Sequence, residues 1–277
     1  MTLISKILRK IGLLIPPKLP HASAVGNRIL KPVYNLLIGS KIEEVKIWGT
    51  ITIQLDPTEC IGGNIFFGSH IYDLEERIFL SQLLNEDSVF IDLGANIGAY
   101  SLWASKKISS QGHIISIEAD PETFKLLSKN IDINNFSCKN HLINKGVSDS
   151  VGILQFYRHT EKNIGGNSFF QSENLEAALQ LPVSPLFDLV NELVSKIDVL
   201  KIDIEGFEFR VLLKFFSDCK EKKPELLPEY IMIEMSEGPL GSNLEYINSL
   251  KKLFKDMNYT EFHEGKNAIY KLMQKIK

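Results

Sequence analysis

The chain has 277 residues, 44% of them hydrophobic and 23% charged, with a formal net charge of -3. This composition excludes a disordered chain, leaves room for one large domain with an N-terminal extension, and excludes the global basic field that grips nucleic acid, so no nucleic-acid partner is expected. Cys60, Cys138 and Cys219 lie about eighty residues apart, and the six histidines form no His-x-x-x-His pair. Disulfide frameworks and histidine-built zinc sites are thereby disfavoured, and a reducing, cytoplasmic compartment is expected.

"MTLISKILRKIGLLIPPKLPHASA" carries Lys6, Arg9 and Lys10 ahead of an uncharged run, Ile11 to Ile15, that Pro16 and Pro17 interrupt. That run is too short for a secretory core or a membrane span. Leu3, Ile4, Ile7, Leu8, Ile11, Leu14 and Ile15 follow helical spacing. Two readings follow: a helix docked on its own chain or on a second subunit, or a peripheral helix at the inner membrane face. The oligomeric state is not legible. Residues 45 to 70 read as a β-rich cap, with "KIWGTITIQL" as one alternating strand. The cap and helix together make a first unit, 1–71, ahead of a main domain, 72–277.

From Asp73 the chain alternates amphipathic helices with apolar strands, the rhythm of a parallel sheet covered by helices on both faces. Asp73 to Leu84 is a helix, "SVFIDLG" the first strand, "AYSLWASKKI" a helix and "GHIISIEAD" the second strand. "PETFKLLSKNIDINN" is a helix capped by Asp120 with Pro121 at its first position, and "HLINKGVSD" is the third strand. "VGILQFYRH" reads as a hairpin excursion, followed by an irregular "NIGGNSFFQSEN" with the character of a lid. A helix over Leu186 to Val194, the strand "IDVLKID", the helix "FEFRVLLKFFSDC", the strand "EYIMIEMS" and the helix "SNLEYINSLKKLFKDM" resume the pattern. "YTEFHEGKNAIYKLM" closes it as an antiparallel hairpin around Gly265.

The chemistry concentrates where strands end. In open α/β sheets ligands bind at the carboxyl ends of strands, and the first strand-to-helix turn needs glycine for close backbone approach. Gly94 and Gly98 supply that turn, but Asn96 stands where a dinucleotide fingerprint has its second glycine, and Asp92 precedes it. A carboxylate there repels a pyrophosphate and suits the cationic amino-acid end of S-adenosylmethionine. Glu118, closing the second strand, suits its ribose hydroxyls. For Asp92 alone the plain alternative is a cap on the following helix.

"FIDLGANIGAYS", "IISIEADPETFKLLSKNIDIN", "NKGVSDSVGILQFY" and "IDVLKIDIEGFEFRVL" together resemble the FkbM family of S-adenosylmethionine-dependent methyltransferases, over about Tyr72 to Glu234. The resemblance implies a Rossmann-like seven-stranded α/β domain and methylation of hydroxyl groups on sugars, glycans or secondary metabolites. By the same motifs Asp92, Gly94, Asn96 and Gly98 cradle the methionine portion, Glu118 holds the ribose, and Ser148 and Asp149 lie near the adenine.

In "KIDIEGFE", Lys201, Asp203 and Glu205 are spaced to share one strand face, and charges in an apolar strand need partners. Asp203 or Glu205 is expected as the base that takes the acceptor's proton; the alternative is a lysine pair and a helix-dipole interaction. Mg2+ held by Asp203 and Glu234 is a further route, disfavoured because no Asp-Asn pair follows the fifth strand. Trp48, Tyr157, Phe169 and Phe170 are candidates for stacking on a sugar face. Two other classes compete: a nicotinamide-dependent oxidoreductase, disfavoured by Asn96, and a catalytically inactive methyltransferase-like binding subunit, disfavoured by the intact turn and its acids.

Overall fold

A computed structural model of the chain describes residues 1–17, 26–159, 164–169, 175–234, 244–263 and 267–273. The N-terminal part consists of helix α1 (Leu3–Leu13), a π-helical turn over Gly26–Leu30, helix α2 (Lys31–Leu37), strands β1 (Glu43–Ile47) and β2 (Ile51–Leu55), and helix α3 (Cys60–Gly68). The expected single strand "KIWGTITIQL" is a hairpin. Trp48 and Gly49 take φ values of 48° and 93°, which reverse the chain so that Ile47 faces Ile51. The remainder of the presumed β-rich cap is α3. A run apolar on nearly every side has no periodicity to separate a buried helix from a strand, and here length favours the helix. A Cβ on its Gly62 would lie 2.1 Å from the Asp56 carbonyl oxygen, so the helix starts tight against the preceding turn.

The main body runs α4 (Leu74–Leu83), β3 (Val89–Leu93), α5 (Ala99–Ala104), β4 (His113–Glu118), α6 (Pro121–Asp132), β5 (Lys139–Asn144), β6 (Gly146–Val147), β7 (Gly152–His159), β8 (Leu175–Ser184), α7 (Leu186–Val190), β9 (Val199–Ile202), α8 (Glu208–Lys222), β10 (Tyr230–Glu234), α9 (Leu244–Asp256), β11 (Tyr259–His263) and β12 (Asn267–Leu272). Seven strands form one sheet in the order β11-β12-β10-β9-β3-β4-β5, with β12 antiparallel to both neighbours and the other pairs parallel. All five residues of β3 are buried, as both faces of a central parallel strand must be. Its Val89, Ile91 and Leu93 pack towards α7, α8 and α9, while Phe90 packs against Leu80 of α4 and Tyr100 of α5.

The excursion is the antiparallel pair β7 and β8, with β6 joined to β8 in a second, three-stranded sheet. The irregular segment after β7 is described only at 164–169, and Phe170 lies outside the described residues. The N-terminal elements share a core with the main body: Tyr34, Ile53, Phe66 and Phe67 pack with Ile97, Leu102, Leu127 and Ile131. Arg77 of α4 seals the join. Its guanidinium lies 4.5 Å from the Trp48 ring centroid and 4.7 Å from that of Trp103, and it donates to the carbonyls of Tyr72 and Ser69. Burial lowers its pKa to about 10. Trp48 is thus packing, not a sugar platform. No helix among the described residues is long and apolar enough to cross a membrane.

Candidate active site

The strand order reverses beside β3, whose neighbours are β4 on one side and β9 on the other. Loops leaving β3 and β9 therefore part in opposite directions and open a crevice at their carboxyl ends. A cavity of about 910 Å³ occupies it. Its wall includes the turn from Leu93 to Ile97, Glu118 after β4, and Lys201, Asp203 and Glu205 along and after β9.

The turn is built from special backbone. Gly94, Asn96 and Gly98 take φ of 76°, 50° and 92°. A Cβ on Gly94 would lie 1.9 Å from the Asp203 carbonyl oxygen, so only glycine fits. The amides of Gly94 and Ala95 both donate to the Ile117 carbonyl at 3.0 Å, and the Asn96 amide donates to Glu118 Oε2 at 2.9 Å. Glu118 Oε1 accepts from the Asp120 amide, also at 2.9 Å. Burial outweighs these two amides and raises the Glu118 pKa to about 7.

Asp92 sits behind this turn. It is 0% exposed and is not on the cavity wall; its Oδ2 accepts from the Ser101 amide at 3.1 Å and hydroxyl at 2.7 Å, and Lys201 Nζ lies 3.5 Å from Oδ1. Burial raises its pKa against the pull of Lys201 and Ser101. The capping alternative thus describes its contacts. Asp92 Oδ1 has no hydrogen-bond partner among the described residues.

Lys201 joins the two sides. Its ammonium donates to the Gly94 carbonyl at 3.2 Å and to Asp203 Oδ2 at 3.5 Å, and lies 5.1 Å from the Tyr100 ring centroid. Burial opposes its charge, but Asp203 and Asp92 outweigh burial and its pKa is raised, so the lysine stays cationic. The Asp203 side chain is 33% exposed. Asp203, Glu205 and the glycine turn line one cavity, but β9 ends at Ile202 and the two acids stand on a turn rather than on the strand face expected from their spacing. Glu205 and Gly206 take φ of 52° and 100°. That left-handed turn is held by Glu208, whose buried carboxylate accepts the amides of Ile204 and Gly206 at 3.0 Å and the Tyr246 hydroxyl at 2.5 Å. Sequence reading missed this role, because a glutamate at a helix start looks like an ordinary dipole partner.

Ser148 and Asp149 are not on the wall. Asp149 is held by Arg210 at 2.9 Å, which overcomes partial burial and lowers its pKa, while the Ser148 amide donates to Ser184. Lys145 and Val147 from the same strand end line the cavity instead. The far rim comes from the excursion. The Ser168 hydroxyl donates to the Glu205 carbonyl at 2.7 Å, and Phe169 packs 5.0 Å from Phe156 and 5.7 Å from Phe207. Asp120, the cap of α6, binds Arg158 through two bonds of 2.7 Å and so ties β7 to the site. Tyr157 pairs with Ser168 through backbone and is off the wall. Asp73, with φ of 41°, accepts from Tyr100 at 3.1 Å and lines the near rim with Tyr72, a contribution the sequence hid inside a helix start. The side chain of Glu234 lies outside the described residues, and no group of three metal-ligating side chains occurs among those described.

A mostly parallel sheet with this glycine turn, an acid closing the second strand and a terminal antiparallel pair is the arrangement of the Rossmann-like methyltransferases. The Methyltransferase FkbM domain matches residues 92–261, and the chain belongs to that family. It is 28% identical to Methyltransferase 1 of Beauveria bassiana over 149 residues, 46% of this chain and 58% of that one. It is 33% identical over 104 residues to the tRNA(Phe) (4-demethylwyosine(37)-C(7)) aminocarboxypropyltransferase of Pyrococcus horikoshii, spanning 38% of this chain and 34% of that one. The structure of the methyltransferase FkbM from Methylobacillus flagellatus is similar with a TM-score of 0.43 and 15% identity, over 76% of this chain and 52% of that chain. The chain therefore spans only part of the relatives it matches.

Proposed function

We propose that this methyltransferase moves the methyl group of S-adenosylmethionine to a hydroxyl of a sugar, glycan or secondary-metabolite acceptor. The carrying observation is the contact between the two turns: the backbone after β3, which suits a cofactor, touches Asp203 on the turn that bears the acids. The donor fits the first turn. Gly94 leaves backbone exposed on the wall, and each Glu118 oxygen, occupied by one amide, has a further lone pair for a ribose hydroxyl. Bound there, S-adenosylmethionine supplies an electrophilic methyl on a sulfonium sulfur.

Asp92 acts from behind, fixing the start of α5 and the charge of Lys201. Asp203, partly exposed and facing Lys201, is the base we assign for the acceptor proton, with Glu205 beside it. Ser148 and Asp149 shape the excursion rather than touch the donor. The described cysteines are all free thiols, in keeping with a cytoplasmic protein.

The test is transfer of labelled methyl to a panel of sugars, glycans and hydroxylated metabolites, with tRNA included because one relative is named for it. A labelled methyl ether on a hydroxylated small molecule or glycan supports the reading. Label confined to tRNA, to nitrogen or to carbon overturns it, as does transfer of the aminocarboxypropyl group in place of methyl.

A further inference from the structure

Helix α1 is docked with its apolar stripe facing outwards. Ser5, Leu8 and Gly12 are its buried residues, whereas Leu3, Ile4, Ile7, Ile11 and Leu14 are 74, 43, 50, 47 and 72% exposed. The orientation is fixed by specific contacts. A Cβ on Gly12 would lie 2.3 Å from the Phe67 carbonyl oxygen, so this face alone permits such close approach to α3. Ser5 donates to buried Glu43 at 2.7 Å, and Arg9 donates to the carbonyls of Phe66 at 2.7 Å and Lys46 at 2.6 Å. Rolling the helix to bury its isoleucines would break all of these. The next helical stretch repeats the device: Tyr34 is buried and donates to the same Glu43 at 3.0 Å, while Ile29, Val33 and Leu36 are 57, 38 and 84% exposed.

Charge says what covers this surface. Residues 1–42 contain seven Lys and Arg and no Asp or Glu, whereas residues 43–277 contain 24 basic against 34 acidic residues. Lys6, Lys10, Arg28 and Lys41 are exposed around the apolar stripes. An apolar helix face flanked by cations matches an anionic bilayer surface, with isoleucines among the acyl chains and lysines at the headgroups. A second copy of the same face would bring like charges together.

We infer that the N-terminal face, α1 with Ile29–Leu37, docks on an anionic lipid bilayer. Ile15, Pro17 and Arg28, which continue from these helices, line the cavity, so docking sets its rim at the membrane. The inference does not depend on the acceptor proposed above.

Flotation of the full chain with phosphatidylcholine vesicles, and with vesicles also containing phosphatidylglycerol, tests it. Binding is expected on the anionic vesicles only and should fall as salt rises. Ile7→Ser with Ile11→Ser should lower partitioning roughly 10- to 100-fold. Lys6→Gln with Lys10→Gln, a pair that keeps the apolar stripe intact, should lower it by roughly tenfold or more. Cofactor binding by both variants should match the parent and confirms their fold; if the serine pair misfolds, the glutamine pair decides. Failure of the parent to float with anionic vesicles, equal flotation with neutral ones, or a dimer in sedimentation that the serine pair dissociates would overturn the inference.

Discussion

Glu118→Gln isolates the charge at the proposed donor site. The parent carboxyl is shifted from 4.5 to about 7 by burial, against the amides of Asp120 and Asn96. One pH unit is worth about 1.4 kcal/mol, which bounds the cost of the buried charge near 3 kcal/mol, and the partial exposure of Glu118 at the cavity wall trims this to roughly 1–2 kcal/mol. Between the ordinary 4.5 and about 7 the unfolded chain has released this proton while the folded chain retains it. This group's contribution to stability therefore declines as pH rises through that window. Ribose hydroxyls favour the charged form, so donor affinity should rise by up to about tenfold per unit as pH approaches 7 and level off above. The glutamine keeps one amide contact, faces its own NH2 towards the other, and removes the charge. Stability should change by less than about 1 kcal/mol, donor affinity should fall roughly 10- to 100-fold, and the pH slope should vanish. Titration calorimetry at about pH 6, 7 and 8 reads the affinity and its slope, and denaturant unfolding reads the stability. A parent affinity that is flat with pH, matched by the variant, would refute the assignment of Glu118 to the donor.

Other outcomes follow from the same contacts. Gly94→Ala drives a methyl group into the Asp203 carbonyl, so thermal unfolding should show a loss of about 2 kcal/mol or more and donor binding should disappear. Arg77→Leu withdraws the guanidinium from the Tyr72 and Ser69 carbonyls, the second of which Trp48 Nε1 still reaches, and from two indole faces, one of which keeps Lys106, and denaturant unfolding should show a loss of roughly 1–3 kcal/mol with cofactor affinity little changed. Asp203→Asn should slow transfer roughly 10²- to 10⁴-fold in single-turnover assays while donor affinity changes far less, and Glu205→Gln should have the smaller effect if Asp203 is the base. Near-parent rates in both would move the base to the rim around Asn167 and Ser168; His263, whose ring is tilted against Phe79 with centroids 4.2 Å apart, is off the cavity wall.

Where periodicity and punctuation coincide, the sequence is legible. β3, β4 and α6 lie where the apolar runs, Gly94 and the Asp120-Pro121 start put them, and β11 and β12 pair antiparallel as expected. The failures share a cause. The α3 run is apolar all round and offers no period, α2 is two turns long, and β8 carries small and polar residues whose strand character comes from pairing with β7. Acids at strand ends were easy to find, but which of them faces the cavity depends on the pleat: Asp92 and Glu118 close neighbouring strands, yet one turns towards α5 and the other into the crevice. The direction of α1 was equally hidden, since helical spacing marks its apolar stripe without saying which side meets the protein.

The contact between Gly94 and Asp203 limits how this chain can diversify. Because the donor turn and the acid turn touch through backbone, with Lys201 bonded to both, a change that shifts residues 203–206 is transmitted to the donor turn as well. On the near rim Tyr72 and Asp73 are not among the close neighbours of Gly94, whereas on the far rim Ser168 bonds the Glu205 carbonyl. On the acceptor reading proposed above, new preferences are therefore open to substitutions on the near rim, whereas the junction of the two turns tolerates little variation in either half without a matching change in the other.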